Sequence, residues 1–155
     1  MPRPDFKDAE GVRYECASGE LEGWLTKQSA WLKDWRRRYF ILKGSKLFFA
    51  KSATSAPHGM IDLATCTTVK SAELKAQKRN ALEVSTHTST FLMYADTEKE
   101  KDDWIGSVGR AIVRCSSTYN DEGVYNSDDD VDDDNSKNGQ ANSDSDDDDE
   151  DNPYR

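Results

Sequence analysis

From residue 22 to residue 95 apolar and polar side chains alternate with a period of two, in short runs broken by turn-forming residues. Only after residue 97 does the apolar spacing change to three and four. A strand sends successive side chains to opposite faces, whereas a helix returns to one face every three or four residues. The chain therefore builds a sheet first and a single helix last. The runs predict seven strands, at residues 23–28, 35–43, 46–51, 59–63, 66–70, 81–87 and 90–95. Gly44 with Ser45 suits a two-residue hairpin turn, Thr88 with Ser89 suits another, and residues 52–58 form a longer loop. Neighbouring strands are expected to pair as an antiparallel meander.

Thr97 and Glu100 stand at capping-box spacing and mark a helix start. Beyond them Trp104, Val108, Ala111, Ile112 and Cys115 form one apolar stripe opposite Lys99, Asp103 and Arg110. That stripe must cover something. Seven antiparallel strands and one C-terminal helix give a mainly β (α+β) fold, a small barrel or orthogonal sandwich with the helix capping one end. The other end stays open.

Charge divides the chain as sharply as periodicity does. Of its 30 acidic and 21 basic residues, 15 and two fall in residues 120–155, leaving 15 and 19 to residues 1–119, so the net charges are −13 and +4. The acidic segment holds only Val124, Tyr125, Val131, Ala141 and Tyr154 as apolar residues, too few to offset the entropy of ordering it. The expected organisation is an N-terminal extension (residues 1–19) to which no role is assigned, a basic folded domain (20–118) and an acidic disordered tail (119–155). Phe6, Val12 and Tyr14 of the extension either pack on the domain or stay mobile.

Cys16, Cys66 and Cys115 are odd in number and lack CxxC spacing, and with only two histidines they point to reduced thiols rather than a metal site. The longest apolar runs, residues 39–42 and 47–50, fall far short of the roughly 20 residues that span a bilayer. The start of the chain lacks a signal-peptide apolar centre. A cytoplasmic protein touching membranes only peripherally is expected.

The hairpin GWLTKQSAWLKDWRRRYFILK carries the functional signal. Alternation puts Lys27 on the side of Leu25, and Arg36 and Arg38 on the side of Phe40 and Leu42. The three cations gather beside the connecting loop, at the end of the barrel without a plug. Burying them together with no acid nearby would cost several kcal/mol, so an anion is expected. Arginine presents a planar fork to phosphate oxygens and lysine a compact ammonium, so phosphate fits best. Lys33 in the loop and Lys51, placed across from Arg38, are auxiliaries. Trp31 and Leu32 at the loop tip either dip into lipid beside the phosphate or, for Trp31, fold back on the hairpin. Trp24, Trp35 and Trp104 read as packing residues, and His58, directly before Gly59, either touches a headgroup or is a solvated loop histidine, the commoner case.

The segments GWLTKQ, WRRRYFILK, KLFFAK, GMIDL and EKEKDDWIGSVGRAI together resemble a pleckstrin homology (PH) domain over residues 20–115, and small stand-alone PH proteins of plants and algae in particular. The resemblance implies a seven-stranded barrel with a C-terminal helix. It also implies phosphoinositide binding through Lys-Xn-(Lys/Arg)-X-Arg, a motif that Lys27, Arg36 and Arg38 match. Strong polyphosphoinositide binders of the family tend to carry Tyr where this chain has Phe49, and the Thr88-Ser89 connection is short. These departures favour a monophosphorylated or loosely selected inositide.

No nucleophile–base pair, metal set or glycine-rich phosphate loop is spaced for catalysis, so no enzyme and no cofactor are expected. Nucleic-acid binding is disfavoured because alternation sends Arg37 and Tyr39 away from Arg36 and Arg38. The expected partners are phosphoinositides on cytoplasmic membrane faces, endosomal or plasma membrane, with a monomer acting in signalling or membrane trafficking. The alternative is a protein-binding adaptor with little lipid affinity. The acidic tail is a solubilising run or a competitor for the basic mouth. Ser127, Ser143 and Ser145 precede acidic residues, as acidophilic kinases prefer.

Overall fold

A computed structural model describes residues 2–29 and 31–115. The acidic tail and the last residues assigned to the domain, 116–118, lie outside the described residues. Among the described residues nine strands form: β1 (Phe6–Lys7), β2 (Arg13–Tyr14), β3 (Leu21–Gln28), β4 (Trp35–Lys43), β5 (Lys46–Ala50), β6 (Gly59–Asp62), β7 (Cys66–Ser71), β8 (Ala81–Thr86) and β9 (Thr90–Tyr94). Two helices accompany them, α1 (Glu73–Ala76) and α2 (Glu98–Cys115).

The seven strands expected from periodicity, β3 to β9, make one antiparallel sheet in the order β6-β5-β4-β3-β9-β8-β7. Each end falls within two residues of its expected place. The simple meander is corrected at one step, because β6 and β7 do not pair. A 3-10 turn, Leu63–Thr65, stands between them, held by the Ala64 amide donating to Asp62 Oδ1 at 3.1 Å, and its Leu63 is fully buried. The chain thereby leaves one half of the sheet and starts the other, while β3 pairs with both β4 and β9 to hold the halves as an open sandwich. Gly44, at φ +59°, takes the left-handed conformation that the tight β4–β5 turn needs.

The inner faces bury Leu25, Phe40, Leu42, Leu47, Phe49, Ile61, Leu82, Val84 and Met93, and α2 adds Trp104, Val108, Ala111 and Ile112, the stripe expected of it. Glu100 N donates to Thr97 Oγ1 at 3.1 Å, so the capping residue is the one expected, while the Thr97 hydroxyl donates to Glu100 Oε1. The four-residue α1 has no periodic signature in the sequence.

The N-terminal extension is the main addition. β1 and β2 pair as a hairpin, and Phe6 and Cys16 bury themselves against Ile41 and Phe48 on the outer face of the sheet, with Tyr14, Tyr39 and Met60 packed around them. β4 and β5 are thus covered on both faces, which is why Phe40-Ile41-Leu42 and Leu47-Phe48-Phe49-Ala50 run apolar without alternation. All three cysteines are free thiols.

Candidate functional site

Strand register decides what surrounds the open end. Lys27 pairs with Arg36 across β3 and β4 and with Met93 across β3 and β9, and Phe49 pairs with Gly59 across β5 and β6. The connections that follow β3, β5 and β8 therefore lie towards one end of the sandwich. α2 serves the opposite end, where Trp104 packs edge-on to Phe40 at 6.3 Å between ring centroids and Arg114 reaches Glu20 at 3.6 Å.

Lys27 and Arg36 are direct cross-strand neighbours, and Arg38 lies opposite Leu25, one step along the same face. Lys27 is only 6% exposed, and its Nζ sits 4.9 Å from the centre of the Phe49 ring. Its aliphatic stem is buried with the core while the ring's π face meets the ammonium. Arg38 is half-buried, and its Nη1 donates to the Arg37 carbonyl at 2.9 Å. Burial, and then the charge of Arg36, lower its pKa. Two guanidinium groups thus crowd the same space.

Arg36 is exposed and donates from Nη2 to Asp34 Oδ2 at 2.9 Å, a partner that alternation does not reveal because Asp34 lies in the loop. Both side chains are nearly half exposed, so water screens this pair and leaves Arg36 available. Continuing the Tyr39–Ala50 register places Lys51, exposed just past β5, opposite Arg38 as expected. Lys33 is exposed in the loop at φ +62°, its amide donating to Ser29 O at 3.1 Å. Trp31 is 85% exposed and Leu32 60%, so Trp31 does not fold back on its hairpin.

Arg37 faces the other side, as alternation requires. Its two terminal nitrogens each donate to an Asp96 carboxylate oxygen at 3.0 Å, and its guanidinium lies 5.0 Å from the centre of the Trp24 ring. Trp24 packs on Tyr39 and Trp35 on Tyr94 across that outer face, whereas Trp104 belongs to the core.

His58, which its place in the loop left between a headgroup contact and a solvated residue, lies beside the cationic cluster. Its ring packs T-shaped against Phe49 with centroids 5.2 Å apart, and its backbone amide donates to Phe49 O at 2.9 Å. Next to it Gly59 leaves the space that the Phe49 ring occupies: a Cβ there would stand 2.2 Å from Phe49 Cζ. Burial of the ring, followed by the charges of Arg38, Lys51 and Lys27, pushes the His58 pKa down to about 4. His58 remains exposed at the rim, so solvent screens part of that repulsion. Nothing in periodicity marks a loop histidine as part of a cationic cluster; its place directly before Gly59, opposite Phe49, was the available clue.

Cations drawn from β3, β4 and the end of β5 therefore converge on an end of the sandwich that α2 does not cover. The PH domain family profile matches residues 19–113, and the chain belongs to that family. It is 41% identical over 131 residues to the pleckstrin homology domain-containing protein 1 of Arabidopsis thaliana, covering 81% of this chain and 90% of that protein. It is also 38% identical over 114 residues to a PH domain-containing protein of Dictyostelium discoideum, covering 72% of this chain but only 24% of that longer protein. Among solved structures it resembles the C-terminal PH domain of pleckstrin in complex with D-myo-Ins(1,2,3,4,5)P5, at 31% identity and a TM-score of 0.50, over 63% of this chain and 97% of that one.

Proposed function

We propose that this chain is a membrane-recruitment module that holds the headgroup of a phosphoinositide in the open end of its sandwich. The carrying observation is the cross-strand pair Lys27–Arg36 with Arg38 beside it, three cations on one face, where burial and then the charge of Arg36 lower the Arg38 pKa. Crowded cations of this kind are relieved by a multiply charged anion, and two guanidinium forks suit phosphate oxygens. Lys51 and Lys33 add charge at the rim, and exposed Trp31 and Leu32 enter the lipid interface beside the headgroup. The inositol pentakisphosphate held by the pleckstrin domain supports the ligand class.

The role is binding rather than catalysis, and attachment is peripheral: no helix among the described residues is long and apolar enough to cross a membrane. Each cation near an anionic surface contributes about 1 kcal/mol, which gives reversible docking on cytoplasmic membrane faces that salt weakens. The acidic residues 120–155 compete with lipid for the same cations, so their deletion tightens docking at low salt.

Sedimentation with vesicles carrying each phosphoinositide in turn tests this reading. Salt-sensitive binding that disappears in Arg36→Ala/Arg38→Ala is the expected result. A correctly folded chain that ignores every inositide at low salt, yet captures a protein partner, would make it an adaptor instead.

A further inference from the structure

Lys27 and His58 rest on the same aromatic ring, one ammonium 4.9 Å from its centre and one imidazole edge-on at 5.2 Å. That ring is fixed, since Phe49 is 3% exposed, packs on Phe40 at 5.5 Å and fills the space left by the missing Cβ of Gly59. The hydrogen bond from His58 N to Phe49 O extends the β5–β6 pairing by one step and anchors the histidine backbone as well. His58 therefore stands at a fixed place on the wall of the mouth.

The charges acting on it come from three elements: Lys27 on β3, Arg38 on β4 and Lys51 at the end of β5. In the empty mouth all three disfavour a fourth positive charge. An anion among them offsets part of that field at His58. A phosphate monoester, carrying up to two charges, offsets more of it than a singly charged diester does.

Resting on the phosphate reading of the mouth, we propose that His58 is a further ligand-facing residue that becomes cationic when a phosphate monoester occupies the site, so that binding takes up a proton and strengthens as pH falls. The mouth then favours monoester phosphates over the diester that every phospholipid carries, because the doubly charged monoester offsets more of the field that keeps the imidazole neutral. The depressed proton affinity of the empty site is consistent with this. If occupancy returns His58 to the ordinary value of 6.5, affinity gains about fourfold between pH 8 and pH 6.

The test uses the full chain, at constant ionic strength, at pH 8 and pH 6. Two ligands are compared, phosphatidylcholine vesicles bearing a monophosphorylated phosphatidylinositol and the matching soluble inositol phosphate, which separate a lipid from a free-phosphate source. Wild type should gain about fourfold on either ligand relative to His58→Gln, whose profile retains only the titration of the phosphate itself. His58→Lys, a permanent cation, should bind at pH 8 at least as well as wild type binds at pH 6 and should lose the extra slope. Parallel slopes in wild type and both variants would overturn the inference alone. Failure of wild type to bind either ligand at both pH values would overturn the phosphate reading and this inference with it.

Discussion

Arg3 and Arg38 are both arginines drawn towards the interior, and their surroundings could hardly differ more. Arg3 is 7% exposed and fully engaged: Nε donates to Cys16 O at 2.8 Å, Nη1 to Ala53 O at 2.6 Å, and Nη2 to Glu22 Oε2 at 2.7 Å and to Ala17 O at 3.4 Å. Arg38 bonds one carbonyl, and burial followed by the charge of the neighbouring Arg36 guanidinium lowers its pKa. The first arginine is a buried fastener between the N-terminal segment and the sheet. The second is held in an unfavourable field that an incoming anion relieves. A buried charge with its partners supplied is part of the fold, and one crowded by its own sign is part of a site.

The largest effect should come from breaking the fastener. Arg3→Ala leaves the carbonyls of Cys16, Ala17 and Ala53 and the Glu22 carboxylate without that donor. Removing one partner of a buried pair costs about 3 kcal/mol or more, so the urea midpoint should fall clearly while vesicle binding per folded molecule stays unchanged. A loss below about 1 kcal/mol would show that the N-terminal segment adds little to the domain.

Arg38→Gln should give the opposite profile. Headgroup binding should fall by about tenfold or more, because a charge-assisted phosphate contact is lost. Folding stability should stay within about 0.5 kcal/mol of wild type, since the substitution also removes a repulsion. Destabilisation on the scale of Arg3→Ala would make Arg38 a structural residue.

This contrast also explains how much the sequence disclosed. Strand alternation is local physics, so the seven strands, the α2 stripe and the common face of Lys27, Arg36 and Arg38 were all legible. The doubly covered strands were legible in principle: the unbroken apolar runs 39–42 and 47–50 signalled a second layer, and Phe6, Tyr14 and Cys16 supply it. What alternation cannot encode is contact between distant loops. Asp34 on Arg36, Arg3 on Ala53 and His58 against Phe49 all arise from tertiary closure or loop geometry.

Acidity offers a third way to sharpen the comparison, this time on the unliganded protein. The folded-state pKa of His58, near 4, lies below its ordinary 6.5, so the unfolded chain binds more protons between those values. Stability linked to this group is fully present above pH 6.5 and declines as pH falls towards 4. His58→Gln should therefore narrow the gap between urea midpoints measured at pH 7.5 and pH 5 and leave the pH 7.5 value nearly unchanged. An identical gap in both proteins would mean that the field of the mouth does not reach the imidazole.

The smallest effect belongs to Asp34, and it tests whether the mouth is partly neutralised from within its own loop. Its ion pair with Arg36 is nearly half exposed on both sides, a class worth about 0–1 kcal/mol, so Asp34→Asn should leave the urea midpoint almost unchanged. The carboxylate nevertheless subtracts one charge from the rim. One net charge at an anionic surface is worth about 1 kcal/mol, so the substitution should tighten vesicle binding by up to about fivefold at low salt. The gain should vanish in high salt, where the rim is screened. Weaker binding in Asp34→Asn would reverse the assignment: the carboxylate would then be orienting the guanidinium for phosphate, and the Arg3–Glu22 arrangement would have a counterpart at the mouth.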